Sequence, residues 1–254
     1  SYLTEAFANE AISFIDRKKD QPFFLEVAFN SVHSPMQAKN EDLAGLSGIE
    51  DIQRKIFAGM LINMDRGIGR IIQKLRDSGL EDNTIIIFIS DNGGPTRELT
   101  SSNLPLRGEK GNLYEGGIRI PFMIQWKGHI PSGKIYENPV ISLDILPTVA
   151  VAAGVEFPQD IDGVNLLPYI KGEKTGQPHQ SLYWRQNGLT AFREGNWKIF
   201  SNKFNGQQSE WELYNLSEDL GEKNNLIKKN PDKFNELFPK WKELNGKMME
   251  PLFK

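Results

Sequence analysis

The sequence predicts an α/β fold: a doubly wound mixed sheet with helices on both faces, followed by a small C-terminal antiparallel-sheet-and-helix subdomain. Three observations predict it. Ile52, Ile56, Met60, Met64, Ile68, Ile71, Ile72 and Leu75 recur at helical spacing over residues 51–78, and Gly79 supplies the stop. Thr84 to Ile89 is an unbroken β-branched and aromatic run between turn residues, the pattern of a strand buried on both faces. From Pro178 onward short β-prone pieces replace both patterns.

The elements follow in order. Leu3 to Lys18 reads as an amphipathic helix with Leu3, Phe7, Phe14 and Ile15 on its apolar side, and Pro22 ends it. Phe23 to Phe29 reads as a short apolar strand that runs into Asn30-Ser31-Val32-His33-Ser34-Pro35. After the long helix and the Thr84–Ile89 strand, residues 120–126 read as another strand. Residues 143–153 read as a helix, with Pro147 in an early turn and Gly154 as the stop. The pieces 181–184, 190–193, 197–200 and 211–214 read as antiparallel strands, and a helix over 231–248 closes the chain. The division falls at about residue 178, giving an α/β part over 1–177 and a small α+β subdomain over 178–254. In doubly wound sheets ligands collect beyond the carboxyl ends of strands, where both His33 and Asp91 are expected.

Bulk properties remove several classes of function. A net charge of -3 does not favour nucleic acid, which rewards a basic surface. The absence of cysteine excludes disulfides, thiolate metal sites and cysteine nucleophiles within these 254 residues. No apolar run reaches the length of a membrane span. The first residues, Ser1-Tyr2-Leu3-Thr4-Glu5, carry no signal-peptide pattern; lacking an initiator Met, they leave the compartment unread.

The chemistry gathers around Ser90-Asp91-Asn92-Gly93-Gly94 and Lys110-Gly111-Asn112-Leu113-Tyr114-Glu115-Gly116-Gly117. Asp91 and Asn92 offer adjacent carboxylate and amide oxygens on a glycine turn after a strand, which suits a hard cation and equally suits an Asx turn. Lys110 can neutralise an oxyanion as a point charge, or stand solvated. Glu115-Gly116-Gly117 allows a tight turn with close backbone approach to a ligand. His33 can bind an anion or protonate a leaving oxygen, or serve as a hydrogen-bonded structural histidine. His129 reads as part of a surface turn. Tyr183, Trp184, Trp197 and Trp211 read as the core of a small sheet rather than a carbohydrate platform.

Taken together, these segments resemble the C-terminal half of a type I sulfatase, of the arylsulfatase family within the alkaline phosphatase superfamily. The resemblance is carried by Pro22-Phe23-Phe24-Leu25 with His33-Ser34-Pro35, by Asn63-Met64-Asp65-Arg66-Gly67-Ile68-Gly69 and by Asp82-Asn83-Thr84. It continues through Ser90-Asp91-Asn92-Gly93-Gly94, the run from Leu106 to Pro121, Ser142-Leu143-Asp144-Ile145-Leu146-Pro147-Thr148, Asp162-Gly163-Val164 and Trp211-Glu212-Leu213-Tyr214-Asn215-Leu216.

The resemblance implies a sulfuric ester hydrolase, acting on sulfate esters, of carbohydrates in particular, with a formylglycine nucleophile and a calcium ion, magnesium being the alternative. It implies Asp91 and Asn92 as metal ligands, Lys110 on the sulfate, and His33 on the sulfate or leaving oxygen. It implies substrate contacts from Arg97, Glu109, His179, Trp184 and Arg185, and a periplasmic or secreted location. The family's aspartate pair and its Cys/Ser-x-Pro-x-Arg motif have no counterpart here. Pro95-Thr96-Arg97 and Pro105-Leu106-Arg107 are preceded, two residues before each proline, by Gly93 and Asn103, neither a formylglycine precursor. The expectation is a chain that begins near the family's midpoint, is inactive alone, and works with an N-terminal half or a second chain. The other readings are a metal-dependent phosphatase or phosphonate hydrolase of the same superfamily, and a non-catalytic sulfated-glycan-binding module.

Overall fold

In a computed structural model, residues 2–202 and 211–249 are described. Contacts divide the chain into two compact units. The first comprises Ser1–Ile87, Pro95–Ser101 and Ile124–Ser132; the second comprises Phe88–Gly94, Ser102–Met123 and Gly133–Lys254. The C-terminal sheet shares its unit with residues 133–177 and with the Lys110 loop.

The first unit is built on two helices, α1 (Leu3–Lys18) and α3 (Ile52–Asp77). Asp51 caps α3, its Oδ1 accepting from the Arg54 N–H at 2.7 Å. The helices approach closely because small residues face each other: a Cβ on Gly67 would stand 3.3 Å from that of Ala8. Ala8, Ala11 and Ile15 are buried along the α1 seam. A short helix, α2 (Asn40–Leu43), also packs on α3.

Phe23 to Phe29 departs from expectation. The segment alternates between half-buried and exposed residues, but no strand ladder forms there. Its aromatic side chains pack instead on α1, Phe23 edge-on to Phe14 at 5.7 Å and Phe29 to Phe7 at 6.4 Å. Apolar alternation fixes which side chains turn inward; a strand also needs a neighbouring backbone to bond.

The Thr84–Ile89 run also differs in detail. Strand β1 covers Ile86–Ile89, and all four of its residues are half-buried rather than buried on both faces. It pairs with β2 (Phe122–Gln125), and these two strands form one sheet.

In the second unit, α4 (Glu115–Ile118) is a single turn within the Lys110 segment. A 3₁₀ turn over Ser142–Asp144 leads into α5 (Ile145–Ala153), which stops at Gly154 with φ 65°. A further short helix, α6, covers Leu167–Ile170. The antiparallel sheet forms as read, from β3 (Ser181–Gln186), β4 (Leu189–Glu194), β5 (Trp197–Ser201) and β6 (Trp211–Asn215) in that spatial order. Helix α7 (Pro231–Lys247) covers one face, where Leu237 and Trp241 pack with Phe192, Ile199 and Leu213. The other face packs Ala191, Phe200 and Tyr214 against Leu113 and Tyr114, two residues of the Lys110 segment.

Candidate active site

Strand β1 ends at Ile89, and Ser90-Asp91-Asn92 follow as its exit turn. The Ser90 N–H donates to Pro121 O at 3.3 Å, and the Ser90 hydroxyl donates to Asn92 O at 3.0 Å. Asp91 is exposed, and its Oδ1 accepts from the Asn92 N–H at 2.9 Å. Asn92 Nδ2 donates to Gly93 O at 2.9 Å, so its Oδ1 is the amide atom left to face a cation.

Gly93 explains how this turn meets the second glycine-rich segment. Its N–H donates to Gly117 O at 3.0 Å, and a Cβ on Gly93 would lie 1.7 Å from Gly116 O. Gly116 and Gly117 are equally confined, by the carbonyls of Arg107 and Gly108 and by those of Glu109 and Asn112. The close approach expected of Glu115-Gly116-Gly117 is made to other backbone. Asn103 fastens the same junction: its Oδ1 accepts from Gly94 N–H, and its Nδ2 donates to Gly94 O and Gly108 O. The segment from Arg107 to Gly117 is thus a packed loop beside the Asp91 turn, with Lys110 exposed on it.

His33 belongs to the first unit. It is exposed, its N–H donates to Asn30 O at 2.9 Å, and its Nδ1 lies 2.8 Å from Ser34 O. A carbonyl partner requires the proton on Nδ1, leaving Nε2 as the acceptor nitrogen of the neutral ring.

The other substrate-binding candidates are spread widely. Arg97 is exposed in the first unit, and Glu109 is half-buried in the second. His179 is buried, with Nε2 2.8 and 3.0 Å from the two carboxylate oxygens of Asp144. Asp144 is fully buried and also accepts from the Ile141 and Val164 N–H groups. Trp184 packs partly buried against the sheet core, and Arg185 donates to Met249 O. His129 is in its expected turn, stacked on Trp126 at 4.1 Å. Tyr183, Trp197 and Trp211 pack around the α7 face, as a core reading requires.

Sequence reasoning missed the supports of the Lys110 loop. Arg107 Nη1 donates to Tyr214 OH at 2.8 Å and Glu222 O at 2.9 Å, and its guanidinium stacks 3.9 Å over the Tyr114 ring. Glu115, buried, pairs with Lys198 at 2.9 Å. No periodicity marks Lys198 or Glu222; they lie 83 and 107 residues beyond Glu115 in the chain.

Among the described residues, no three His, Cys, Asp or Glu side chains gather as a metal cluster. Asp91 and Asn92 fit a hard cation by donor chemistry, one carboxylate and one amide, but two oxygens are far short of the ~6–8 that calcium takes.

The fold belongs to a known class. The sulfatase family model matches residues 1–155, and a model described as N-sulphoglucosamine sulphohydrolase, C-terminal, matches residues 108–249. The chain belongs to the sulfatase family, and its fold is α/β. An uncharacterized sulfatase of Escherichia coli K12 is 32% identical over 90% of the chain and 42% of its own length. Human arylsulfatase A is 33% identical over 87% of the chain and 47% of its own length. A structure described as Ps i-CgsB in complex with k-i-k-neocarrahexaose superposes with a TM-score of 0.86 at 35% identity, covering 96% of this chain and 55% of that one. BT4656, solved in complex with its substrate D-glucosamine-2-N,6-O-disulfate, gives a TM-score of 0.64 at 26% identity, covering 76% and 40%. The chain spans about half the length of the relatives it matches.

Proposed function

We propose that this chain supplies part of the active site of a sulfuric ester hydrolase that cleaves carbohydrate sulfate esters. The observation that carries the reading is the packed junction of Gly93 with Gly116 and Gly117, in a chain whose sulfatase match covers both segments. The junction fixes the turn bearing Asp91 and Asn92 beside the loop bearing Lys110. Two chain oxygens for a cation and one ammonium for an oxyanion are what sulfate recognition needs at one place.

Asp91 and Asn92 would hold calcium, with magnesium as the alternative. A bound hard cation supplies Lewis-acid polarisation of the sulfate oxygens. The Lys110 ammonium offsets negative charge on the sulfate. His33 carries a proton to the departing oxygen, with Ser34 O fixing which ring nitrogen is protonated in the neutral form. That role rests on the family resemblance. The nucleophile, a formylglycine in this family, is not among these residues, which include no cysteine and no Cys/Ser-x-Pro-x-Arg motif. The remaining metal ligands and the nucleophile come from an N-terminal half or a second chain. Export to the periplasm or the cell exterior belongs to the same reading. Among the described residues no helix is long and apolar enough to cross a membrane.

The sugar preference draws support from BT4656, whose substrate is a sulfated glucosamine. The test is sulfate release by the longer protein, purified from its source with its ends mapped by native mass spectrometry. An aryl sulfate and a sulfated monosaccharide serve as substrates, beside a phosphate monoester and a phosphonate ester. Sulfate release that requires calcium or magnesium supports the reading. Turnover of only the phosphorus esters would transfer the chain to the phosphatase or phosphonate hydrolase class. Saturable glycan binding without turnover would make it a binding module.

A further inference from the structure

We propose that Glu222 is a positioning residue for the Lys110 loop, a clamp that closes the segment from Arg107 to Glu115 from the far end of the chain. The proposal rests on the reading of Lys110 as the sulfate-contacting cation. Glu222 is fully buried and has φ 49°, in the left-handed region where a residue with a Cβ is uncommon. From that position it makes three contacts. Its backbone carbonyl accepts from Arg107 Nη1 at 2.9 Å. Its Oε2 accepts from the Glu115 N–H at 2.6 Å. Its Oε1 forms an ion pair at 2.8 Å with Lys198 Nζ, and that ammonium donates its hydrogen bond to Glu115 Oε1 at 2.9 Å. One residue therefore holds both ends of the loop that carries Lys110.

The charges show that the arrangement is specific. Glu115, Lys198 and Glu222 are all buried, Lys198 and Glu222 completely. Arg119 and Arg193 each approach the second oxygen of Glu115 at 3.8 Å. Buried ion pairs contribute little net stability compared with apolar packing of similar volume. Their contribution is directional: the Glu115 N–H and carboxylate each have one buried partner, so the turn that follows has one placement. That turn is Gly116–Gly117, whose backbone meets Gly93 beside Asp91. A misplacement of about 1 Å in such a loop can cost on the order of 100-fold in rate.

The experiment uses the longer protein and two variants. Glu222→Ala removes the side-chain clamp. Glu222→Leu fills a similar volume without either carboxylate oxygen and leaves Lys198 paired with Glu115, so it serves if Glu222→Ala does not fold. Three readouts are taken: amide hydrogen exchange in peptides over 107–117, kcat and KM for an aryl sulfate, and kcat/KM in a Lys110→Ala background. The expected result is faster exchange in 107–117 by about ten-fold or more, with kcat/KM down about 10- to 100-fold. In the Lys110→Ala background the further loss is less than about two-fold, because the clamp acts through Lys110. Unchanged exchange in 107–117 overturns the clamp. Faster exchange with unchanged kinetics, or a full multiplicative loss in the Lys110→Ala background, overturns the positioning role. If the wild-type protein releases no sulfate, the functional reading fails by itself, and hydrogen exchange alone then decides the clamp.

Discussion

Lys110 is an exposed residue on a loop held through Arg107 at one end and buried Glu115 at the other, and this contrast defines what its removal does. Lys110→Ala in the longer protein is expected to lower kcat/KM for sulfate esters by on the order of 100-fold, as loss of one oxyanion partner does. Its thermal midpoint should fall less than that of a Glu115 variant, since Glu115 is the buried anchor of the loop. Steady-state kinetics beside a melting curve checks both, and a fall in midpoint equal to that of a core variant would contradict the loop's description. At Asp219 the opposing effects are burial, which raises the carboxyl pKa, and the Asn224 and Lys223 N–H groups at 2.7 and 2.8 Å, which prevail and hold it below 3.8. A depressed folded pKa means that the unfolded state binds the proton more tightly, so Asp219 adds stability above pH 3.8 and loses it as pH falls through the lower folded value. Asp219→Asn should therefore be less stable than wild type at neutral pH, with the gap closing in acid. Denaturant titrations across that window measure it. At this scale Asp91, Asn92, Lys110 and His33 could be singled out as candidates because their residue types sit in short motifs. Asn103, Lys198 and Glu222 were not, because their partners lie far away in sequence.

Among the elements, the junction of two glycine segments is the most constrained. Gly93→Ala would set its new Cβ against the Gly116 carbonyl, which is backbone and cannot rotate away. The variant is expected to lose at least about 2 kcal/mol of stability. Urea denaturation of the longer protein checks this; a neutral result would mean that the two segments are further apart than described. Helices α1, α3, α5 and α7 and the four antiparallel strands were readable because each carries its own apolar period and its own stops. The Phe23–Phe29 segment was misread as a strand because alternation reports side-chain burial, not backbone pairing. Phe14 and Phe7 of α1 supply the burial there. The Ile-rich run gave β1 its place but not its burial, because the burial of a strand depends on what covers its faces.

For the molecule as a whole, the fractional length of the match sets the expectation. Two neighbouring oxygen ligands should hold calcium at ~10⁻³ M or more weakly, a range in which most of the coordination shell is water. Calorimetric titration of this chain measures it, and micromolar affinity would show that the described residues hold more of the site than Asp91 and Asn92. The same chain is expected to release no sulfate from an aryl sulfate, because a covalent mechanism needs its nucleophile. Release by the chain alone would refute the division of the site.

The sequence by itself determined the α/β class, the helices α1, α3, α5 and α7 and the C-terminal sheet, because these depend on periods and spacings within a few turns of chain. Tertiary structure alone decided that residues 88–94, 102–123 and 133–254 gather in one compact unit. It also decided that Gly116 and Gly117 pack against Gly93, and that Glu222 and Lys198 anchor the loop of Lys110. Those outcomes depend on which distant backbones and charges share one buried volume, and local periodicity carries no information about that.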